Sequence, residues 1–262
     1  MHPWQADHLL KQDWCQQLVQ QNALHDLGEA GERWLPTSSS RSLYSPSNRD
    51  MVKFSLSVRL TNSVRTLSVK EAKRGMRLAR LAQTPRWQEL QARYPTFRVM
   101  QEDGWAGLRS ADFTLQEESL LVLRDNLLFS QPDSQTNVLV TLTQAAPDGG
   151  DSLLASAVRR LAARLNLPLQ QAAFCWLDAY CQHVLLPLFS TEADYGLVLL
   201  AHQQIFWWRC SKICLSVCCT ATAKGAALPR ARCRGWRKLA KPKRKIALAN
   251  SNYYVTSRIT CW

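Results

Sequence analysis

No stretch of about 18 apolar residues occurs anywhere in the chain, so the sequence predicts no membrane-spanning helix. The opening Met1-His2-Pro3-Trp4-Gln5 has none of the charged, apolar and small-residue zones of a secretory signal, and a cytoplasmic protein is expected. The nine cysteines offer no paired short spacing followed by a second ligand pair, which argues against zinc. Without an export signal, disulfides are not expected either. Acidic residues are missing from one region altogether: residues 205–262 hold 13 of the 33 Lys and Arg and no Asp or Glu.

That last absence divides the chain. Removing those 13 leaves 20 basic residues against 20 acidic ones in 1–204, so the whole net charge of +13 sits in the tail. A neutral segment of about 200 residues can bury about 70% of its unfolded surface, and an apolar content of 46% supplies the side chains for it. The expected organisation is therefore a folded part over 1–204 and a basic, disordered tail over 205–262. Trp207, Trp208 and the run Lys241-Pro242-Lys243-Arg244-Lys245 would let the tail meet phosphate backbones nonspecifically. A basic-tailed nucleic-acid-binding protein is the alternative reading of the whole chain.

Periodicity predicts the elements. Leu9, Leu10, Trp14, Leu18 and Val19 recur at helical spacing within residues 5–27, before Gly28 and Gly31. The serines between 37 and 48 read as linker. Residues 52–61 alternate strictly, with Val52, Phe54, Leu56, Val58 and Leu60 apolar, which predicts one half-buried strand. Its polar face carries Lys53 and Thr61 toward solvent or a ligand, and Arg65 follows in the exit turn. Ser68 and Glu71 form a capping box ahead of a helix that stops near Pro85, and a short helix fits 86–93. Strands are expected at 97–100 and 138–142, while 120–129 fits either strand or helix. Asp151 should cap a helix that ends before Pro168, and a further helix should run over 169–186. The apolar run 195–202 should be buried.

Taken in order, His2-Pro3-Trp4-Gln5, Ser38-Ser39-Ser40-Arg41, the segment 53–65 (KFSLSVRLTNSVR) and Ala201-His202-Gln203-Gln204 closely resemble the IucA/IucC siderophore synthetases. The resemblance spans 1–204. Residues 64–108 and 138–151 look most like the branch that couples citrate to an N6-acetyl-N6-hydroxylysine amine in aerobactin assembly. It implies a mixed α+β fold, with an antiparallel sheet and packed helices. It also implies an ATP-dependent amide ligase, with ATP and Mg2+ at the site and citrate and a hydroxylysine-derived amine as substrates. Carried over by motif, Ser39, Arg41, Lys53, Thr61 and Arg65 are the expected nucleotide contacts, with His202 and Gln204 closing the site. By itself a strand lysine is ordinarily a solvated charge, and a histidine after an apolar run is ordinarily a satisfied buried imidazole. The order and spacing of the whole set carry the functional reading.

The sequence departs from the family pattern in several places. Ser42 stands where members often have Thr, and Leu200 stands where many have an acidic residue, which removes a metal assignment from that segment. The family's Gly-His-Pro motif lies upstream of the HPWQ element, and here only Met1 precedes His2, so an N-terminal truncation is expected. Downstream, members continue with Asn, an apolar strand and Tyr-Arg-Asp-x-Gln-Gly, whose Asp helps to hold magnesium. Here Gln204 is followed by Ile205-Phe206-Trp207-Trp208. Yet codons compatible with 218–225, read one base earlier, spell Leu-Tyr-Arg-Asp-Cys-Gln-Gly. The same shift turns 205–210 into Asn-Ile-Leu-Val-Ala-Met. A single-base deletion after Gln204 accounts for both, and the chain is expected to be an inactive remnant of the ligase.

Overall fold

The computed structural model describes residues 1–29, 31–60, 63–126, 128–129, 136–199, 206–210, 215–219, 226–227 and 254–258. They fold into two compact units. The first comprises Met1–Arg80 and Gln101–Pro132 with the strand Tyr254–Arg258; the second comprises Leu81–Met100 and the elements between 136 and 227. Among the described residues no helix is long and apolar enough to cross a membrane.

The first unit opens with α1 (Pro3–Leu10) and α2 (Asp13–Gln20) where the periodicity predicts one helix. A turn at Lys11-Gln12 re-aims the apolar stripe, and Asn22, at φ 54°, ends α2 in the left-handed conformation that asparagine tolerates. Strand β1 (Leu24–Glu29) follows, and Leu9, Cys15, Leu18 and Leu24 bury together with Leu108. Then come β2 (Leu35–Pro36), β3 (Ser42–Tyr44), β4 (Asp50–Phe54), β5 (Leu56–Leu60), β6 (Ser63–Arg65) and α3 (Val69–Leu81). The serine-rich segment read as linker thus contributes β3, a fully paired strand. Ser68 Oγ accepts from the Glu71 amide at 3.2 Å, which is the predicted N-terminal cap of α3.

The strand predicted over 52–61 breaks at Ser55. Its amide donates to the Leu120 carbonyl (2.8 Å), and its hydroxyl donates to the Glu117 carbonyl (2.7 Å) and accepts from the Leu67 amide (2.9 Å). With those bonds made the chain leaves one sheet and enters a hairpin of β5 and β6.

The second unit contributes α4 (Pro85–Arg93), β7 (Phe97–Val99) and, after β8 (Gly104–Ala106) and β9 (Leu121–Asp125) of the first, β10 (Thr136–Val138). Helix α5 (Leu153–Leu165) is capped by Ser152, whose side chain accepts from Ala155 N at 3.2 Å, rather than by Asp151. Helix α6 (Leu169–Tyr180) runs through one π turn at Cys181–Leu185 into α7 (Leu186–Ala193). Tyr94 and Ser190 share a buried 2.7 Å hydrogen bond that ties α7 to the end of α4. The short β11 (Val198–Leu199) follows, and the tail contributes the backbone of β12 (Phe206–Cys210), β13 (Leu215–Cys219), β14 (Ala226–Ala227) and β15 (Tyr254–Arg258). The architecture is mixed α and β, with antiparallel sheet and packed helices, as the sequence predicts.

Candidate functional site

The first unit's five-stranded antiparallel sheet has the order β2-β3-β4-β9-β8, which puts β4 in the middle. Directly opposite residues of antiparallel strands share a face. The pairs Leu43–Val52 and Val52–Leu123 therefore fix one face, where Trp34, Leu43, Val52 and Phe54 bury with Leu121 and Leu123. The pairs Ser42–Lys53, Lys53–Val122 and Met51–Arg124 fix the other. Helix α3 covers that second face, for Ala72 buries with Leu67, Leu120 and Val122. Both faces of β4 are closed off, and a lysine in it must be buried.

Lys53 is 4% exposed, Glu102 3%, and Arg41 and Arg124 7% each. One carboxylate oxygen joins two cations: Glu102 Oε1 accepts from Lys53 Nζ at 3.2 Å and from Arg124 Nη2. Arg41 Nη1 donates to the carbonyl of Arg65 at 2.8 Å and to that of Thr66 at 3.4 Å, so its guanidinium is fastened to the chain leaving β6. A glycine lets the carboxylate approach α3. A Cβ on Gly75 would lie 2.9 Å from the Glu102 Cβ.

The cluster carries excess positive charge: Arg41, Lys53 and Arg124 against Glu102. Adding the half-buried Arg65 and Glu71, which act on Arg41, keeps the excess at two. Burial, reinforced by Arg124 and Arg41 and opposed by Glu102, pulls the Lys53 ammonium down to about 8. Burial alone would raise the Glu102 carboxyl, but Arg124 and Lys53 outweigh it and hold it below the usual range. Burial also lowers the Arg41 guanidinium, with Arg65 and Arg124 adding to the effect. A buried site with two uncompensated cations favours an incoming polyanion, because removal of water strengthens the attraction.

Of the residues predicted from sequence, Arg41 and Lys53 enter the cluster, and Arg65 adjoins it through its carbonyl. Of the two destinations that the alternation leaves open, solvent or a ligand, Lys53 reaches neither in this structure and instead faces Glu102. Ser39 is exposed in the turn before β3, its amide bonded to Thr37 Oγ1 at 3.2 Å. Thr61, His202 and Gln204 lie outside the described residues. Glu102, Arg124 and Gly75 were not legible, since each acts through partners 22 or more residues away. The HPWQ element is structural at its last position. Gln5, 1% exposed, donates to Ser57 Oγ (2.9 Å) and the Glu118 carbonyl (3.0 Å) and accepts from the Ser57 amide (2.7 Å), clamping α1 to β5.

The IucA / IucC family matches residues 1–144, more than half of the chain. Over 205 residues the chain is 67% identical to N(2)-citryl-N(6)-acetyl-N(6)-hydroxylysine synthase of Escherichia coli, covering 78% of this chain and 36% of that protein. The synthase of the same name from Vibrio mimicus is 42% identical over 204 residues, 78% of this chain and 34% of its own length. The chain thus spans about a third of the curated relatives it matches. Among solved structures, ATP-bound aerobactin synthetase IucA from a hypervirulent pathotype of Klebsiella pneumoniae superposes with a TM-score of 0.83 at 64% identity, over 87% of this chain and 41% of that one. Aerobactin synthetase IucC from Klebsiella pneumoniae shares the fold at 19% identity and a TM-score of 0.64. This chain belongs to the IucA/IucC family.

Proposed function

We propose that the chain carries the phosphate-binding part of an ATP-dependent ligase that adenylates citrate and couples it to the amine of N6-acetyl-N6-hydroxylysine in aerobactin-type siderophore assembly. The observation that carries this reading is the buried excess of two cations around Glu102. It occurs in a chain 64% identical over most of its length to a synthetase solved with ATP bound. In the proposed reaction a citrate carboxylate oxygen attacks the α-phosphorus, the bond to the β-phosphate oxygen breaks, and pyrophosphate leaves. The amine nitrogen then attacks the acyl carbonyl, AMP departs, and the nitrogen gives up a proton. No protein nucleophile is required. Catalysis rests on position and on fixed positive charge that meets the phosphate oxygens as they gain charge.

Arg41 and Lys53 are assigned to the phosphates. Ser39, Thr61, Arg65, His202 and Gln204 belong to the same proposal through the order of the motifs. Among the described residues no group of three or more His, Cys, Asp or Glu is placed to hold a metal ion. The roles assigned to these residues are those of cations and hydrogen-bond donors, and a magnesium ion bound with ATP would be held largely by the phosphates and water.

We also infer that residues 205–262 are read out of frame, because one shift restores Tyr-Arg-Asp-x-Gln-Gly-like and apolar-strand sequence at separate places. The chain alone should then bind ATP yet form no amide. Incubation of the full chain with ATP, magnesium, citrate and N6-acetyl-N6-hydroxylysine, followed by mass spectrometry, checks this. Turnover on the order of 1 per second would refute the inactive reading. Failure to bind ATP at all would refute the nucleotide assignment. The nucleotide sequence around codon 204 decides the frame.

A further inference from the structure

Glu102 and Arg124 enter the reading above only through the count of charge, and their placement demands a role for each. An arginine in the middle of a sheet and a carboxylate beneath a helix both lose hydration, and a buried ion pair commonly stabilises a fold no better than apolar residues of the same size. The arrangement is also incompletely satisfied. Glu102 Oε2 is buried without a hydrogen-bond partner among the described residues, although its Oε1 accepts from two cations. Helix α3 gives up a side chain at Gly75 so that this carboxylate fits, and glycine within a helix costs about 1 kcal/mol relative to alanine. Such features are expected where charge is arranged for a ligand rather than for stability.

The register says what is arranged. Met51 lies opposite Arg124 and Lys53 opposite Val122, so Lys53 and Arg124 are diagonal neighbours on one face of adjacent strands, close enough for long side chains to meet. Two cations so placed repel one another. A shared carboxylate oxygen draws both side chains to one point. The geometry points to Arg124 as a further phosphate-contacting cation of this site, and to Glu102 as the positioning residue that holds Arg124 and Lys53 together so that both meet the same anion. The assignment rests on the nucleotide reading. It extends the cationic set from Arg41, just ahead of β3, and Lys53 on β4 to a residue on β9, outside every motif in the sequence.

Isothermal titration of the full chain with ATP between pH 7.5 and 9.5 tests it, with near-UV circular dichroism to check folding. Arg124→Gln should weaken ATP about tenfold or more, as loss of a charge-assisted contact does. Glu102→Gln should move a titration. The charged groups that face Lys53 are Glu102, Arg124 and Arg41, the last acted on in turn by Arg65 and Glu71. Removing the one anion that touches Lys53 among the described residues should shift the pH above which ATP affinity falls to a lower value, and Glu102→Asp should restore part of the shift. A Glu102→Gln variant that loses thermal stability but keeps the parent's ATP affinity across this pH range would overturn the positioning role. Should Glu102→Gln not fold, Glu102→Asp and Arg124→Gln still decide the matter. ATP affinity unchanged in Arg124→Gln but weakened in Lys53→Ala would overturn this inference and leave the nucleotide reading standing. No affinity in the parent chain would overturn the nucleotide reading and, with it, this inference.

Discussion

Replacing Lys53 with methionine keeps most of the side-chain volume in the sheet and removes one titratable group, so the charge of Lys53 can be read as a pH-dependent stability. In the unfolded chain the ammonium holds its proton up to about 10.5; in the folded protein it holds it only to about 8. Between those values the unfolded state binds more protons, and stability must therefore rise with pH. A difference of about 2.5 pH units at 1.36 kcal/mol each gives roughly 3 kcal/mol. Below about pH 8 both states are protonated and the full cost of burying the charge applies. That cost is relieved progressively from about pH 8 to 10.5. Urea unfolding of parent and Lys53→Met at pH 7 and pH 10.5 isolates the group, because other lysines, cysteines and tyrosines titrate alike in both. The parent should gain roughly 3 kcal/mol relative to the variant between the two pH values. A parent-minus-variant difference that stays constant would refute the burial of a charged Lys53 beside Glu102.

Four further substitutions probe the fold of the two units. Gln5→Ala breaks the clamp between α1 and β5 and should cost about 1–3 kcal/mol in urea unfolding; an unchanged midpoint would contradict the structural role of the HPWQ element. Gly75→Ala should lower the melting temperature although helix propensity alone favours alanine by about 1 kcal/mol, since the new Cβ falls 2.9 Å from that of Glu102 and overpacking costs about 1–3 kcal/mol. A higher melting temperature would show that the carboxylate does not occupy that position. Ser152→Ala should cost about 1 kcal/mol through the lost N-cap, and hydrogen exchange in the first turn of α5 should speed up. Asp151→Ala, which breaks only an exposed pair with Arg159, should change stability by less than about 1 kcal/mol.

Much of the first unit was legible because local chemistry specifies it. The Ser68–Glu71 box announces α3, and the motif order picks out Arg41 and Lys53 ahead of other basic residues. The strand was misjudged at Ser55. There the apolar–polar alternation runs on unbroken while the hydrogen-bonding partner changes from β9 to β6, and a period of two cannot register a change of partner. The same pattern leaves Lys53 on a face turned to solvent or a ligand and cannot show that a helix covers it. A central strand covered on both sides carries a lysine inward only when another segment supplies the counter-ion, and Glu102 lies 49 residues away. Arg124 sits at the end of the run Leu121-Val122-Leu123, ambiguous between strand and helix until β4 and β8 flank it. Motif reading found Arg41 and Lys53 because they fall in recognisable segments, and it passed over Arg124. It could not find the anion that positions them.

The central claim is that the cluster around Glu102 holds phosphate, and competition tests it most directly. The full chain is titrated with ATP alone and then in the presence of inorganic tripolyphosphate, for the parent and for Lys53→Ala. The account predicts that tripolyphosphate displaces ATP competitively from the parent and that Lys53→Ala weakens both ligands by similar factors. ATP binding that tripolyphosphate leaves untouched, or that survives Lys53→Ala undiminished, would contradict it.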